Sequence, residues 1–176
     1  LGNTRTIDSV IRREILLLEG DPFNNTKLKE SINALKRLGY FKSVTYKIDR
    51  GIQDNSVDII INIEEMNTGS VSLGVGYSSL NSTSFSFGLN EKNFLGEGRK
   101  ARFEANISDK KSNYNVGITE PYFLDKPISF STNVYNEESE NNAGDIKTDK
   151  FGLGLGLGMK EKLIFHSLGY SYTQSS

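Results

Sequence analysis

The chain has 176 residues, and its 21 Lys and Arg balance 22 Asp and Glu to a formal net charge of −1. With no basic surplus to neutralise phosphates, the composition argues against a nucleic-acid partner. The absence of cysteine removes disulfides and thiolate chemistry, a lone His166 removes two-histidine metal motifs, and no apolar run approaches the roughly 20 residues of a spanning helix. From the N-terminus, Thr6 reads as an N-cap with Asp8 in the first turn. Ile7, Val10, Ile11, Glu14, Ile15 and Leu18 follow a helical period until Gly20, with only Glu14 breaking the apolar stripe, and Arg12, Arg13 and Glu14 read as a solvated face in preference to a binding patch. A second helix is expected from Asn25 or Thr26, with Leu28, Ile32, Leu35 and Leu38 as its buried stripe and Gly39 just past its end. Two strands follow, Phe41–Ile48 and Val57–Ile63, across a polar turn at Asp49–Ser56. One sheet layer covered by two helices makes a small α+β core over residues 1–66.

Near Asn67–Gly69 the chain changes character. From residue 70 onward, apolar side chains alternate strictly with small or polar ones in seven successive segments. Val71, Leu73, Val75 and Tyr77 open the series, and Phe85 and Phe87, Phe103, Tyr114 and Val116, Phe130, then Leu153 and Leu155 continue it. A last strand is expected near Leu163–Tyr172. Segments of this length and dyad pattern are those of a transmembrane β-barrel, with one face on lipid and one on a wet lumen. A soluble antiparallel sandwich also alternates. The Gly, Ser, Asn, Arg and Glu of the second face favour the barrel. So does an expected alternation of short turns (Glu91–Gly98, Tyr122–Lys126, Lys160–Lys162) with longer polar connections such as Glu137–Lys150. Phe85, Phe87, Phe103, Phe130, Leu153 and Leu155 are the expected lipid-facing residues. The run Gly152–Gly158 is no dinucleotide loop, because its glycines recur every second residue inside a strand; there they let a neighbour pack close. His166 falls on the apolar phase, and no nucleophile–base pair, metal cluster or phosphate loop is evident, so no catalytic residue, metal or cofactor is expected.

Several segments, taken in order, carry a family resemblance. Gly2-Asn3-Thr4-Arg5-Thr6, Val10-Ile11-Arg12-Arg13-Glu14 and Leu35-Lys36-Arg37-Leu38-Gly39-Tyr40-Phe41 resemble the last POTRA domain of the BamA family of outer-membrane protein assembly factors. Glu64–Ser70 with Gly74-Val75-Gly76-Tyr77 resembles the entry to that family's barrel. Asn93–Gly98 and Glu120–Phe123 resemble its first two periplasmic turns. The resemblance implies a β-α-α-β-β POTRA domain over 1–66, beginning just past its first strand, and about seven of sixteen barrel strands over 67–176. It implies residence in the outer membrane and periplasm. The implied partners are outer-membrane lipid, unfolded outer-membrane protein clients, and accessory assembly lipoproteins at the POTRA domain. It also implies a client-pairing edge on the first barrel strand: Ser70, Val71, Ser72, Leu73, Gly74, Val75, Gly76, Tyr77 and Ser78. A POTRA-containing secretion transporter of the two-partner type is the alternative; an enzyme is not expected.

Overall fold

A computed structural model describes residues 1–52, 55–78, 82–141, 146–161 and 164–175. Parts of the expected turns (Gln53, Asp54 and Lys162) and Leu163 lie outside the described residues. The chain divides into two compact units, Leu1–Thr68 with Leu95–Gly98, and Gly69–Phe94 with Arg99–Ser176.

In the first unit, α1 (Asp8–Arg12) and α2 (Asn25–Leu38) accompany the antiparallel pair β1 (Phe41–Arg50) and β2 (Val57–Glu65). Helix α2 starts where Asn24 accepts a bond from the Lys27 N–H and ends at Gly39, whose φ of 70° is the left-handed cap. Leu28, Ile32 and Leu35 are buried, and Leu38 packs partly against the same core. Ser31 is buried with them, because its hydroxyl donates to the Lys27 carbonyl at 2.8 Å and accepts from the Leu16 N–H at 2.8 Å. Val10 and Ile11 of α1, with Tyr40, Phe41, Val44 and Ile63, complete the core. Leu1 joins the sheet beside β2: its nitrogen donates to Ile61 O at 2.8 Å and its carbonyl accepts from Ile63 N at 2.9 Å. One residue bonded to both neighbours of Asn62 is the pattern of a parallel bridge.

The first helix departs from the sequence reading. It spans five residues and is preceded by Ile7, which makes no side-chain cap. Thr6 is not the N-cap; it is buried, and its N–H is held by Glu65. Beyond Arg13–Glu14 the chain is neither helix nor strand, with Ile15 and Leu17 against the core and Leu16 and Leu18 exposed. That stretch obeys period two, and the bond from Leu16 N to Ser31 fixes it. Of the expected solvated face, Arg12 is exposed and paired with Asp8 and Glu19, while Arg13 and Glu14 are half-buried.

The turn Leu95–Gly98 belongs to this first unit. Ile7 N donates to Gly96 O at 3.0 Å and the Tyr40 hydroxyl to Gly98 O at 3.3 Å. Gly96 has φ +77°, and a Cβ there would overlap the Arg5 carbonyl oxygen, so only glycine fits.

The second unit is one antiparallel sheet of seven strands in sequence order: β3 (Gly69–Ser78), β4 (Ser82–Phe94), β5 (Arg99–Ser108), β6 (Lys111–Glu120), β7 (Ile128–Asn141), β8 (Ile146–Glu161) and β9 (Ile164–Ser175). Among the described residues every pairing is between chain neighbours, and β3 does not pair with β9, so the barrel is not closed. The strands run longer than the alternation suggested. Most of the expected loop Glu137–Lys150 is ladder, with Glu137 opposite Lys150 and Glu140 opposite Lys147. The β5–β6 connection is only Asp109–Lys110, at the same end of the sheet. The expected alternation of short and long connections is therefore absent among the described residues. Charged side chains read as loop are instead ladder partners that continue the strands.

Candidate functional site: an open strand edge on a two-faced sheet

Register decides which side chains share a face, because opposed residues in an antiparallel ladder project the same way. One row across the sheet reads Val71, Leu89, Phe103, Val116, Val134, Leu153 and Tyr172. The next row on that face begins Leu73, Phe87, Ala105 and Tyr114. Val75, Phe85 and Ile107 follow. Towards the other end, Ala101, Ile118, Thr132, Leu155 and Tyr170 form another row. Phe130 lies level with Leu157 and Leu168 on the same face. All six residues expected on lipid thus fall on one face. Phe85 and Leu155 are exposed there, while Phe87, Phe103, Phe130 and Leu153 are half-covered by neighbours. The Phe87 and Phe103 rings meet edge to face at 6.0 Å, and Phe123 covers Phe130 at 5.0 Å.

The other face is mostly polar residues and glycine. Ser72, Gly88, Glu104, Asn115, Tyr135, Gly152 and Thr173 form one of its rows. Glycines fill this face wherever a neighbour leans over the backbone: Ser86 over Gly74, Ser72 over Gly88, and Tyr135, Asn133 and Ser131 over Gly152, Gly154 and Gly156. The glycine run of β8 is thus the floor beneath the side chains of β7.

The apolar band is not level with the ladder. On β3 it begins at Val71 and runs to Tyr77. On β9, parallel to β3, it ends at Tyr172, the residue level with Val71 and not with Tyr77. The band therefore shifts by six residues over the six strand-to-strand steps from β3 to β9. One residue of rise, about 3.3 Å, per strand spacing of about 4.8 Å corresponds to strands tilted by about 35° to the band, within the range of closed barrels.

Strand β3 contains all nine residues of the expected pairing edge. Each is matched to β4, from Ser70 opposite Asn90 to Ser78 opposite Ser82. No described strand lies on its other side. Its apolar side chains are bare, with Leu73 80% and Tyr77 82% exposed, as is Leu168 at 74% on the other edge, β9, whereas Phe87 and Phe103, one and two strands in, are half-buried. Its polar face offers only Ser and Gly, so a strand laid along this edge would meet backbone first and little side-chain bulk.

One cluster has no counterpart in the sequence reading. The Glu65 carboxylate, 7% exposed, accepts from the backbone N–H groups of Thr4 (3.2 Å), Arg5 (3.0 Å) and Thr6 (2.7 Å) and from the Thr4 hydroxyl (2.9 Å). Burial pushes this carboxyl upward, but the bonds from Thr6, Arg5 and Thr4 outweigh it and hold the pKa at about 2. Arg5 also donates to Met66 O at 2.8 Å, and Met66 N donates to Tyr40 O at 3.0 Å. The first unit's final residues before β3 are thereby held in place. The only signal in the sequence was Glu65 next to the Met66–Gly69 join. Among the described residues no cluster of metal-ligating side chains occurs, and no helix is long and apolar enough to cross a membrane.

Comparisons with known proteins agree with this division. The POTRA family profile, described as a surface antigen variable number repeat, matches residues 1–66, and the Omp85 superfamily domain matches residues 93–176. Outer membrane protein assembly factor BamA of Nitratidesulfovibrio vulgaris is 32% identical over 161 residues, covering 88% of this chain and 20% of that protein. A putative outer membrane protein assembly factor of Treponema pallidum is 33% identical over 88% of this chain and 19% of its own length. The chain thus spans about a fifth of the curated relatives it matches. The crystal structure of BamA from Haemophilus ducreyi lacking POTRA domains 1–3 superposes with a TM-score of 0.84 and 31% identity, covering 99% of this chain and 34% of that one. CdiB from Escherichia coli, at 14% identity and a TM-score of 0.61, shares the fold. With a POTRA profile on one unit, the Omp85 profile on most of the other and BamA similarity along nearly the whole length, the chain belongs to the Omp85 superfamily.

Proposed function

We propose that this chain is part of an outer-membrane protein assembly factor that folds and inserts β-barrel proteins. Its first unit would stand in the periplasm and its seven strands in the outer membrane. The observation that carries the reading is the sheet itself: two sorted faces, an apolar band crossed at about 35°, and an outer edge on β3 with no described neighbour. Phe85, Phe87, Phe103, Phe130, Leu153 and Leu155 would face lipid, and Ser70–Ser78 would pair with a client strand. Chemistry at that edge is hydrogen bonding, with each ladder bond contributing about 0.5–1.5 kcal/mol net, so a guest is held by many weak bonds and can be released. Unfolded outer-membrane proteins are the clients, and accessory lipoproteins would dock on the POTRA unit. No bond is broken in this mechanism, and no residue has a catalytic role.

The test uses the protein expressed in the membrane from its full reading frame. Val75→Pro removes a ladder donor from β3 and should impair insertion of other barrels, whereas Val116→Ala, inside the sheet, should leave it near normal. A disulfide tying Ser72→Cys to the closing strand should stop insertion until reduced. Normal insertion by the locked protein would refute pairing at this edge. The shared fold with CdiB keeps a secretion transporter as the second reading. In that case the lock would leave barrel insertion in the cell unchanged and block export of a passenger instead.

A further inference from the structure

Strand β8 carries a repeat that does not define its own position. From Gly152 to Gly158 glycine occupies every second residue and leucine the residues between. A one-residue slip against β7 would exchange the faces and is strongly opposed. A two-residue slip exchanges nothing: leucine still meets the apolar residues of β7, and glycine still lies beneath Asn133 and Ser131. The ladder nevertheless has a single register, with Tyr135 opposite Gly152.

Two contacts on the polar face break the degeneracy, one against a single slip and the other against both. The Tyr135 ring lies over Gly152, where a Cβ would overlap it, and its hydroxyl shares a 2.6 Å hydrogen bond with Thr173 Oγ1 on β9. Sliding β8 so that Tyr135 faces Lys150 would take the ring off glycine and drive it into a long side chain. Sliding the other way leaves Tyr135 a glycine, Gly154, but sets Glu137 opposite Gly152. Glu137 lies opposite Lys150, 3.9 Å from its Nζ, and 3.2 Å from Lys111 Nζ on β6. Either slip takes Lys150 from opposite Glu137, leaving Thr148 there in the first and Gly152 in the second. Asn133 and Ser131 are short enough to fit either slipped glycine and so discriminate neither.

We propose that Tyr135 and Glu137 are the register-determining residues of β8, Tyr135 barring the slip that brings Lys150 beneath its ring and Glu137, through Lys150, opposing both slips and alone opposing the other. This chain has no native cysteine to compete with introduced pairs, and any cysteine elsewhere in the full reading frame is replaced beforehand. In the membrane-inserted protein from its full reading frame, Val134→Cys with Leu153→Cys reports the native register. Val134→Cys with Phe151→Cys reports the slip that Tyr135 opposes, and Val134→Cys with Leu155→Cys the slip that Glu137 alone opposes. Diagonal neighbours are about 7–8 Å apart, too far to bridge without movement, so only a slipped strand closes the last two pairs. With both residues intact, only the native pair should form. Tyr135→Ala should raise the Phe151 pair about fivefold and Glu137→Ala the Leu155 pair by a similar factor, the most that a cross-strand pair is worth. Asn133→Ala should raise neither. The proposal is overturned if both slip pairs stay at background in variants that still close the native pair, or if Asn133→Ala opens them equally. Should either alanine variant fail to insert, Tyr135→Phe and Glu137→Gln are read in its place. Each should open its own slip pair to a smaller extent, and slip pairs at background in both would overturn the proposal.

Discussion

Glu65 shows how much of a small domain's integrity rests on one carboxylate. Its pKa of about 2 lies below the ordinary 4.5, so its contribution is complete above pH 4.5 and is lost as the pH falls through 2. A shift of that size corresponds to about 2–3 kcal/mol once residual solvent contact is allowed for. Glu65→Gln should lower the first unit's stability at pH 7 by a similar amount. The same substitution should flatten the decline of stability between pH 4.5 and 2 in a denaturation series. An unchanged acid limb would show that the carboxylate is not the group responsible. Leu35, fully buried on α2, should cost about 2–5 kcal/mol when replaced by alanine. Gly96→Ala should be comparably damaging for a different reason: it adds one methyl group at φ +77° against the Arg5 carbonyl. Thermal unfolding of the two variants, compared with the exposed control Asn33→Ala, checks both.

At the scale of the element, the sheet can be read from the sequence and its punctuation cannot. Alternation marks the apolar residues of all seven strands because burial on one face leaves no choice of partner for them. The same reasoning misjudged α1. Ile7, Val10, Ile11, Ile15 and Leu18 satisfy a helical period, yet beyond Ile11 it is Ile15 and Leu17 that reach the core, from a segment that is not helical. Four apolar residues in a row suit either period, and a hydroxyl fifteen residues away, on Ser31, decides between them. Strand ends were hidden for a related reason: Glu137, Lys150, Glu140 and Lys147 look like loop by composition but are cross-strand partners. The nine-residue edge of the candidate site was legible as a strand, and its place at the sheet's margin follows from chain order. The register contacts of Tyr135 were not, since any of four glycines could have received the ring. If the apolar face meets lipid, Phe87→Arg should destabilise the inserted protein by about 2–4 kcal/mol, and Asn106→Asp on the polar face by far less. Equal losses in a folding titration would refute the assignment.

For the whole sheet, the tilt sets a height. The longest apolar run, Phe151 to Met159 on β8, extends about 26 Å along the strand. At about 35° this becomes a slab of only about 22 Å, thinner than the ~30 Å core of a typical bilayer. The full protein should therefore insert faster and more completely into vesicles of dilauroyl lipid than into those of dioleoyl lipid. A heat-modifiable gel shift followed over time measures this. Indifference to acyl length would mean that the apolar band does not set the depth.

The bonds between the chain's first residues and β2 also dictate an order of events. Helix α2 and the β1–β2 hairpin close over short loops, and so does every pairing from β3 to β9. By contrast, Leu1, Thr4, Arg5 and Thr6 reach Ile61, Ile63 and Glu65 across about 60 residues. Closing a loop of that length in place of a two- to seven-residue turn adds about 2–3 kcal/mol of entropy loss. Such contacts form late unless something stronger drives them. The amides of Thr4, Arg5 and Thr6 should consequently be the last in the first unit to gain protection in pulsed hydrogen exchange. In the unfolding direction they should be the first to open, releasing the stretch from Glu65 to Met66 while α2 and its hairpin remain folded.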